Sequence, residues 1–325
     1  MVIERRIAEA LARRQRAGLP NGSTNAYRLV HAAGDGIEAL TVDVYDRWLV
    51  ASIYSEPAGE QERALLGALA KLGFAGVYVK RRPRAANALS AEELVRRAPT
   101  RAVLGQDAPD DLLVYEHGVP FEVRLGDGLS TGLFLDQRDN RQRVRERACG
   151  ARVLNLFAYT CSFGVAAALG SAASTDNLDL AKPALARGRR NYELSGLSQG
   201  PHRFLARDAL TTLPKLARRK ESYDLIVLDP PSYASSAAGR FRAEHDYGAL
   251  ATDVFAVLRP GGSLLACLNH HALDERTLVS ALVGASSRAG RSIASIEAHP
   301  PPTDFPAASG RPPHLKSVWV RLQDE

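Results

Sequence analysis

Cysteine is scarce: only Cys149, Cys161 and Cys267 occur, odd in number and without metal-ligand spacing. That excludes a disulfide framework and a zinc site as organising features, and no metal is expected. No apolar run approaches the roughly 18 residues that span a bilayer. The N-terminal MVIERRIAEALARRQRAG scatters charge through what would be the core of a signal peptide, so a cytoplasmic protein without membrane attachment is expected. Internal repeats and low-complexity segments are also missing. What remains is ordinary globular composition: 325 residues, 45% hydrophobic and 24% charged, enough for about two domains. Lys and Arg total 42 against 36 Asp and Glu, so the net +6 matters only where it is concentrated.

Residues 2–17 place Ile3, Ile7, Ala10 and Leu11 at helical spacing before Gly18 and Pro20. Two β-rich runs follow in AYRLVHAAGDGIEALTVDVYDRWLVASIYS, then a helical stretch over 60–72 and a strand at 77–80. The segment from Lys80 to Asp111 is basic, then rich in Ala and Pro, then acidic, which suits a linker or exposed flap. A small α+β domain over 1–117 and a second domain over 118–325 are expected, the latter opening with a hairpin at VPFEVRL. From residue 152 apolar strands near 153–159, 174–179, 203–207, 224–229 and 263–269 alternate with helices near 163–169, 181–195, 209–219, 244–258 and 274–289. That alternation predicts a doubly wound α/β domain with a mostly parallel sheet. Strands near 292–298 and 316–322, joined by a Pro-rich turn, predict an antiparallel edge.

In doubly wound folds ligands sit beyond the carboxyl ends of the strands. Here those ends carry NLFAYTCSFG, Asp179, Arg207-Asp208-Ala209 and Asp229-Pro230-Pro231-Ser232-Tyr233. A carboxylate after the second strand suits a ribose diol, and one after the third suits an exocyclic amine, although each also reads as a plain strand end or helix N-cap. Two consecutive prolines stiffen a loop and leave its carbonyls free to accept from an amino group. A nucleoside cofactor is the economical conclusion. His270 and His271, adjacent on an extended segment, point to opposite faces and cannot chelate one ion. The basic runs at 80–84, 96–101 and 138–147 are candidates to track phosphates, with Arg81, Arg82 and Arg141 as substrate-binding candidates. Phe134 and Tyr233 are candidates to stack on a displaced base, while packing under the hairpin is the plainer alternative for Phe134.

Together these residues resemble the class I S-adenosylmethionine-dependent methyltransferases, specifically the large-subunit (23S) ribosomal RNA base methyltransferases that carry a TGLFLDQR segment. RLVHAAGDGIEALTVDVYDRWLV is similar to that family's middle domain and STGLFLDQRDNR to its joining hairpin. VLNLFAYT, Asp179, RDA and DPPSY are similar to its cofactor and substrate motifs. The resemblance implies a Rossmann-like catalytic domain, S-adenosylmethionine as cofactor and 23S ribosomal RNA as partner; the sequence leaves the assembly open, a homodimer among the options. It implies cofactor contacts from Asn155, Phe157, Ala158, Tyr159 and Thr160, from Asp179 to the ribose, and from Asp208, beside Ala209, to the adenine amine. Gln137, Arg138 and Asp229 complete that set. Asp229, Pro230, Pro231 and Asn269 are expected to hold the base for transfer.

Three departures stand out. Family members usually have two glycines after YT, where this chain has Cys161 and Ser162. Many members begin with an RNA-binding domain of the PUA type, and a form lacking that domain ahead of the middle domain is expected here. Members that form 5-methylcytosine place a nucleophilic Cys at the end of strand five, where this chain has Asn269; members acting on guanine also carry Asn. Methylating carbon 5 of a pyrimidine needs a covalent adduct, which Asn cannot supply, whereas a heterocycle nitrogen such as nitrogen 7 of guanine already has a lone pair. Cys267, two residues earlier and one pleat repeat deeper, reads as core. A guanine ring nitrogen is therefore the expected target. The alternatives are 5-methylcytosine formation through Cys267, methylation of a small molecule, and a non-catalytic RNA-binding protein that keeps the cofactor fold.

Overall fold

The computed structural model describes residues 2–54, 59–82, 91–236, 239–270 and 273–325. The chain divides into two compact units, Met1–Arg138 with Pro302–Arg311, and Asp139–Pro301 with Pro312–Glu325. No helix among the described residues is long and apolar enough to cross a membrane.

In the first unit α1 (Val2–Arg16) buries Ile7 and Ala10, as its spacing predicts, and ends where Gly18 takes a φ of +78°. It is followed by β1 (Ala26–His31), β2 (Leu40–Tyr45), β3 (Trp48–Ile53), α2 (Gly59–Ala70) and β4 (Gly76–Arg81). β1, β2 and β3 pair antiparallel in sequence, whereas β3 and β4 pair parallel because α2 provides the crossover that parallel neighbours need. Leu29, Val42, Leu49 and Val79 meet Leu65 and Leu69 of α2 in the core.

Two expectations for this region are corrected. The stretch read as a linker contributes α3 (Ala91–Arg97) and β5 (Leu104–Gly105), which pairs antiparallel with β4. Glycine permits that approach, because a Cβ on Gly105 would stand 2.2 Å from the Ala75 carbonyl oxygen. Arg84, from the basic run, lies outside the described residues. The boundary expected between 117 and 118 falls inside a hairpin of β6 (Leu112–Glu116) and β7 (Val119–Val123), whose strands pair from Leu112↔Val123 to Glu116↔Val119. His117 and Gly118 both take positive φ, +48° and +77°, the two-residue turn whose twist matches the strands. The division falls instead at Arg138/Asp139, where α4 (Arg138–Arg147) begins.

The second unit continues with β8 (Arg152–Leu156), α5 (Ser162–Leu169), β9 (Ser174–Asp179), α6 (Lys182–Leu194), β10 (His202–Ala206), α7 (Ala209–Arg218) and β11 (Tyr223–Leu228). A short hairpin of β12 (Tyr233–Ser236) and β13 (Gly239–Arg242) precedes α8 (Ala243–Val257), β14 (Leu258–Asn269), α9 (Glu275–Arg288), β15 (Ile293–His299) and β16 (Leu315–Leu322). The sheet order is β10-β9-β8-β11-β14-β16-β15, parallel through β14 and antiparallel at the β16–β15 edge. The near-continuous apolar runs of β8, β11 and β14 predicted this, since strands covered on both faces need no polar alternation. The sequence pattern did not reveal the β12–β13 hairpin.

The Pro-rich connection between β15 and β16 does more than turn the chain: Pro302–Arg311 belongs to the first unit. Asp304 is fully buried there. Its carboxylate accepts from the Arg28 N–H at 2.8 Å and from both terminal nitrogens of Arg138, and its carbonyl accepts from Arg14 at 2.8 Å. Arg14, itself buried, forks onto Asp35 with two bonds of 2.6 Å and donates its Nε to the Arg28 carbonyl at 2.9 Å. A buried guanidinium is tolerable only when its donors are used in this way. Burial pushes the Asp35 carboxyl up, but hydrogen bonds from Arg14 and Arg13 pull it further down, to a net value below the ordinary range. Its stabilising contribution is therefore complete above an unfolded pKa of about 3.9 and is lost as pH falls through the lower folded value. Asp304→Ala strands Arg138 without its carboxylate and is expected to destabilise the first unit by about 3–5 kcal/mol, read from the midpoint of urea unfolding.

Candidate active site

Parallel pairing brings the carboxyl ends of five strands to one edge of the second unit. Leu156 lies opposite Leu178 and Leu228, Asp179 opposite Ala206, and Leu228 opposite Ala266. The segments that follow are therefore neighbours: Phe157–Thr160 after β8, Asp179 at the end of β9, Asp208 and Ala209 after β10, Asp229–Tyr233 after β11, and Asn269 at the end of β14. Ten of the residues singled out in the sequence thus assemble on one edge, together with Pro230 and Pro231.

The loop after β8 takes an unusual path. Phe157, Tyr159 and Cys161 adopt φ of +55°, +48° and +60°, the left-handed region in which a side chain costs energy. The Asp179 carboxylate braces it, accepting the Tyr159 N–H at 2.8 Å on one oxygen and the Ala181 N–H at 2.8 Å on the other. Each oxygen keeps a lone pair for a further donor. Cys161, where the resembled family has glycine, is fully buried at the start of α5, and burial first, then the charge of Asp179, push its thiol well above the usual range. It remains a protonated, inert thiol. Glycine in α6 makes room for this side chain: a Cβ on Gly188 would stand 2.3 Å from Cys161 Sγ.

Asp208 is the N-cap of α7, accepting the Leu210 N–H at 2.8 Å on Oδ1, so the plain role is present at this position. In the Asp-Pro-Pro-Ser-Tyr loop Pro230 is buried, Pro231 is exposed, and the Ser232 hydroxyl donates to the Asn269 carbonyl, tying the loop to the end of β14. Tyr247 of α8 adds a second tie, donating to the Cys267 carbonyl at 3.1 Å; burial, then Cys267 and Asp229, push its phenol well up. Cys267 is fully buried, with Asn140 Nδ2 at 3.9 Å and Ser317 Oγ at 4.0 Å, while Asn269 is exposed. His270 pairs with Glu244 at 3.1 Å; His271 lies outside the described residues. Sequence reasoning missed Ser232 as a tie and Lys316, a buried amine on β16 that donates to the His270 carbonyl. Neither residue stands out in a linear pattern.

Several expected residues find other partners. Asn155 is buried within the sheet and donates to Asn177 at 3.0 Å, starting a polar chain through Tyr192 and Thr175 to His202. It is a structural amide, because its position inside β8 turns it into the helix-covered face. Arg141 is buried beside the start of α5, 3.4 Å from Ser162 Oγ, and is not presented to phosphates. Arg81 pairs with Glu62, and Arg82 donates to the Leu129 carbonyl. Gln137 and Arg138 are buried in the first unit, Arg138 on Asp304, while Phe134 there is half exposed. The cavity of about 430 Å³ lined by Arg152, Asp176, His202 and Arg203 opens at the amino ends of β8–β10, the wrong edge for this chemistry. Arg203 and Arg152 are spent there on Asp176 and Glu221.

A family model for S-adenosylmethionine-dependent methyltransferases matches residues 27–320. The chain belongs to that family. The methyltransferase is 34% identical over 300 residues to ribosomal RNA large subunit methyltransferase I of Aeromonas salmonicida, covering 91% of this chain and 74% of the relative. It is 32% identical over 322 residues to a ribosomal RNA large subunit methyltransferase of Deinococcus radiodurans, covering 98% and 78%. A methyltransferase solved with SAH superposes with a TM-score of 0.85 at 27% identity, covering 98% of this chain and 81% of that one. A SAM-dependent methyltransferase from Streptococcus mutans gives the same values. The fold class read from the sequence and S-adenosylmethionine as cofactor both stand.

The carboxyl edge fits such a cofactor. Asp179 is fixed by two backbone donors with lone pairs to spare, and the strained loop beside it bends away from the strand path at three alternate residues. Cys161 and Gly188 form one packing unit. Gly188→Ala is expected to destabilise the protein by about 1–3 kcal/mol through overpacking, and Cys161→Gly in the same chain to recover most of that loss. Thermal unfolding of the two single variants and the double variant measures the coupling.

Proposed function

We propose that this methyltransferase modifies a base of large-subunit ribosomal RNA, at a guanine ring nitrogen. The relatives named above act on ribosomal RNA by name, and their likeness runs through both units. One observation carries the choice of nitrogen: at the end of β14 the exposed residue is Asn269, while Cys267 is sealed in the core against Asn140 and Ser317. A nucleophilic thiol must reach the pyrimidine ring, and this one would have to unpack the sheet to do so.

Bound S-adenosylmethionine supplies an electrophilic methyl group. The protein's part is to hold and align. Asp179 takes the ribose hydroxyls, Phe157–Thr160 wrap the cofactor's near side, and Asp208 faces the adenine amine. Asp229, with the carbonyls of the proline-stiffened loop, accepts from the exocyclic amine of the base, and Asn269 fixes its edge. Tyr233 stacks on the displaced ring. For a ring nitrogen that carries no proton, such as nitrogen 7 of guanine, alignment of its lone pair with the methyl group in a pocket that excludes water is the source of rate, so no general base is invoked.

Asp179→Ala is expected to weaken S-adenosylmethionine binding by about 1–3 kcal/mol in calorimetry. Mass mapping of 23S RNA from cells with and without the gene identifies the base: loss of a methyl on guanine supports the proposal, and loss on cytosine overturns it. Cys267→Ala should keep most activity while Asn269→Ala lowers kcat. A stable adduct with RNA containing 5-fluorocytosine that vanishes in Cys267→Ala would restore the covalent route.

A further inference from the structure

One segment of this protein carries more net charge than the whole chain. Residues 182–220, covering α6, β10 and α7, hold ten Lys and Arg against two acids, Glu193 and Asp208, a balance of +8 in a chain whose total is +6. Everything else sums to −2. The three elements wrap a single edge of the second unit. β10 is the outermost strand of the parallel sheet. Tyr192 of α6 bonds to Thr175 and Asn177 on one face of β9, whereas Leu213 and Leu216 of α7 pack with Leu178 on the other. The cationic residues therefore run from one face, over the strand, to the other.

Little of this charge is neutralised within the fold. Arg190 pairs with Glu193 at 3.3 Å and Arg203 pairs with Asp176, while Arg189 lies over the Phe204 ring at 4.3 Å. Lys182, Arg207, Lys215, Arg218, Arg219 and Lys220 are exposed and make no ion pair with a described residue. Asp208 is occupied in capping α7. Local physics explains only part of the arrangement. Arg218, Arg219 and Lys220 complement the negative end of α7. Lys182 does the reverse, placing a cation in the first turn of α6 where no acid accompanies it, and Lys215 with Arg219 is a like-charge pair one turn apart. Unpaired cations assembled against helix preference mark a surface shaped for an anionic partner.

We infer that the α6–β10–α7 edge is the docking surface for the phosphate backbone of the RNA that carries the target base. The strip begins beside the proposed active site, with Lys182 three residues after Asp179 and Arg207 next to Asp208, and continues to Arg218–Lys220 at the amino ends of the strands. It replaces the sequence-predicted contacts at Arg81, Arg82 and Arg141, which are spent inside the fold. The inference rests on the proposed RNA substrate and adds where that RNA lies.

The test uses the full-length protein carrying Lys215→Ala, Arg218→Ala and Arg219→Ala, three exposed changes away from the proposed cofactor residues, with protein-free 23S RNA as the probe. Binding is measured from about 50 to 200 mM salt. The expected result is a log–log salt slope shallower by about 3 and affinity lower by roughly 10–100-fold at the low-salt end, with unchanged S-adenosylmethionine affinity by calorimetry. A triple variant with the wild-type slope overturns the inference, and so does a loss confined to vesicles of anionic lipid or to an acidic protein. Mass mapping of cellular RNA judges the substrate separately. A wild type that methylates 23S RNA alongside an unaltered slope in the variant removes the docking surface alone.

Discussion

Parallel registration of β9, β8, β11 and β14 is the constraint on which the candidate site depends. Parallel neighbours start and stop at the same level, so whatever follows each strand is delivered to one edge irrespective of its distance in sequence. Leu156, Leu178, Leu228 and Ala266 are joined through this register, although 110 positions of numbering separate the first from the last. Registration is held by apolar side chains on both faces and by polar pairs within the sheet, among them the buried Asn155 with Asn177. A buried amide pair of this kind is satisfied in one register only, which makes it a locator as well as a contact. Helix α5 then has to come close, and Gly164 allows it: a Cβ there would stand 2.1 Å from Asn177 Oδ1.

The first unit solves a different problem. Its apolar core is small, and its centre also holds charged groups: Arg14, Asp35 and Asp304 are buried, and Arg28 is paired with Asp43 beneath the Phe305 ring. Such groups add little net stability over an apolar core of the same volume, but removing any one leaves its partner stranded. They therefore specify which segments must be present. Asp304 is supplied by a loop between β15 and β16, so the unit cannot complete its polar centre until nearly the whole chain has been made. Arg138, the last residue before the second unit, takes its carboxylate from that same loop.

Charge follows a third logic. The acids of the second unit are committed to internal work: Asp179 braces a loop, Asp208 caps a helix, and Asp176 anchors Arg203 and accepts from Tyr223 at 2.7 Å. Lys182 of α6 and Lys215, Arg218, Arg219 and Lys220 at α7 are not so committed. A modest overall excess thus becomes a strong local field along one sheet edge, a property invisible in the total.

The sequence by itself determined the class of the second unit. Its central strands β8, β11 and β14 were legible because burial on both faces writes apolar runs, and its helices because their periodicity survives in α6–α9; β9 and β10, more polar, were read from their place in that alternation. The carboxyl-end motifs were legible for the same reason: once strand ends are known, parallel topology dictates that Asp179, Asp208, Asp229 and Asn269 converge. The β6–β7 hairpin was misplaced because His117 stands where Asn, Asp or Gly usually precedes the turn glycine, so its strands were read as belonging to different domains. The roles of Arg81, Arg82, Arg138 and Arg141 were not legible, since a basic residue looks alike in sequence whether its partner is a phosphate or a carboxylate of the same chain. Only the tertiary structure decided this. It brought Glu62 to Arg81 and Asp304 to Arg138 across 19 and 166 positions, contacts that depend on packing and leave no periodic trace. Among the described residues, Lys182, Arg207, Lys215, Arg218, Arg219 and Lys220 on the α6–β10–α7 edge are left exposed without an ion pair, which the sequence alone did not show either.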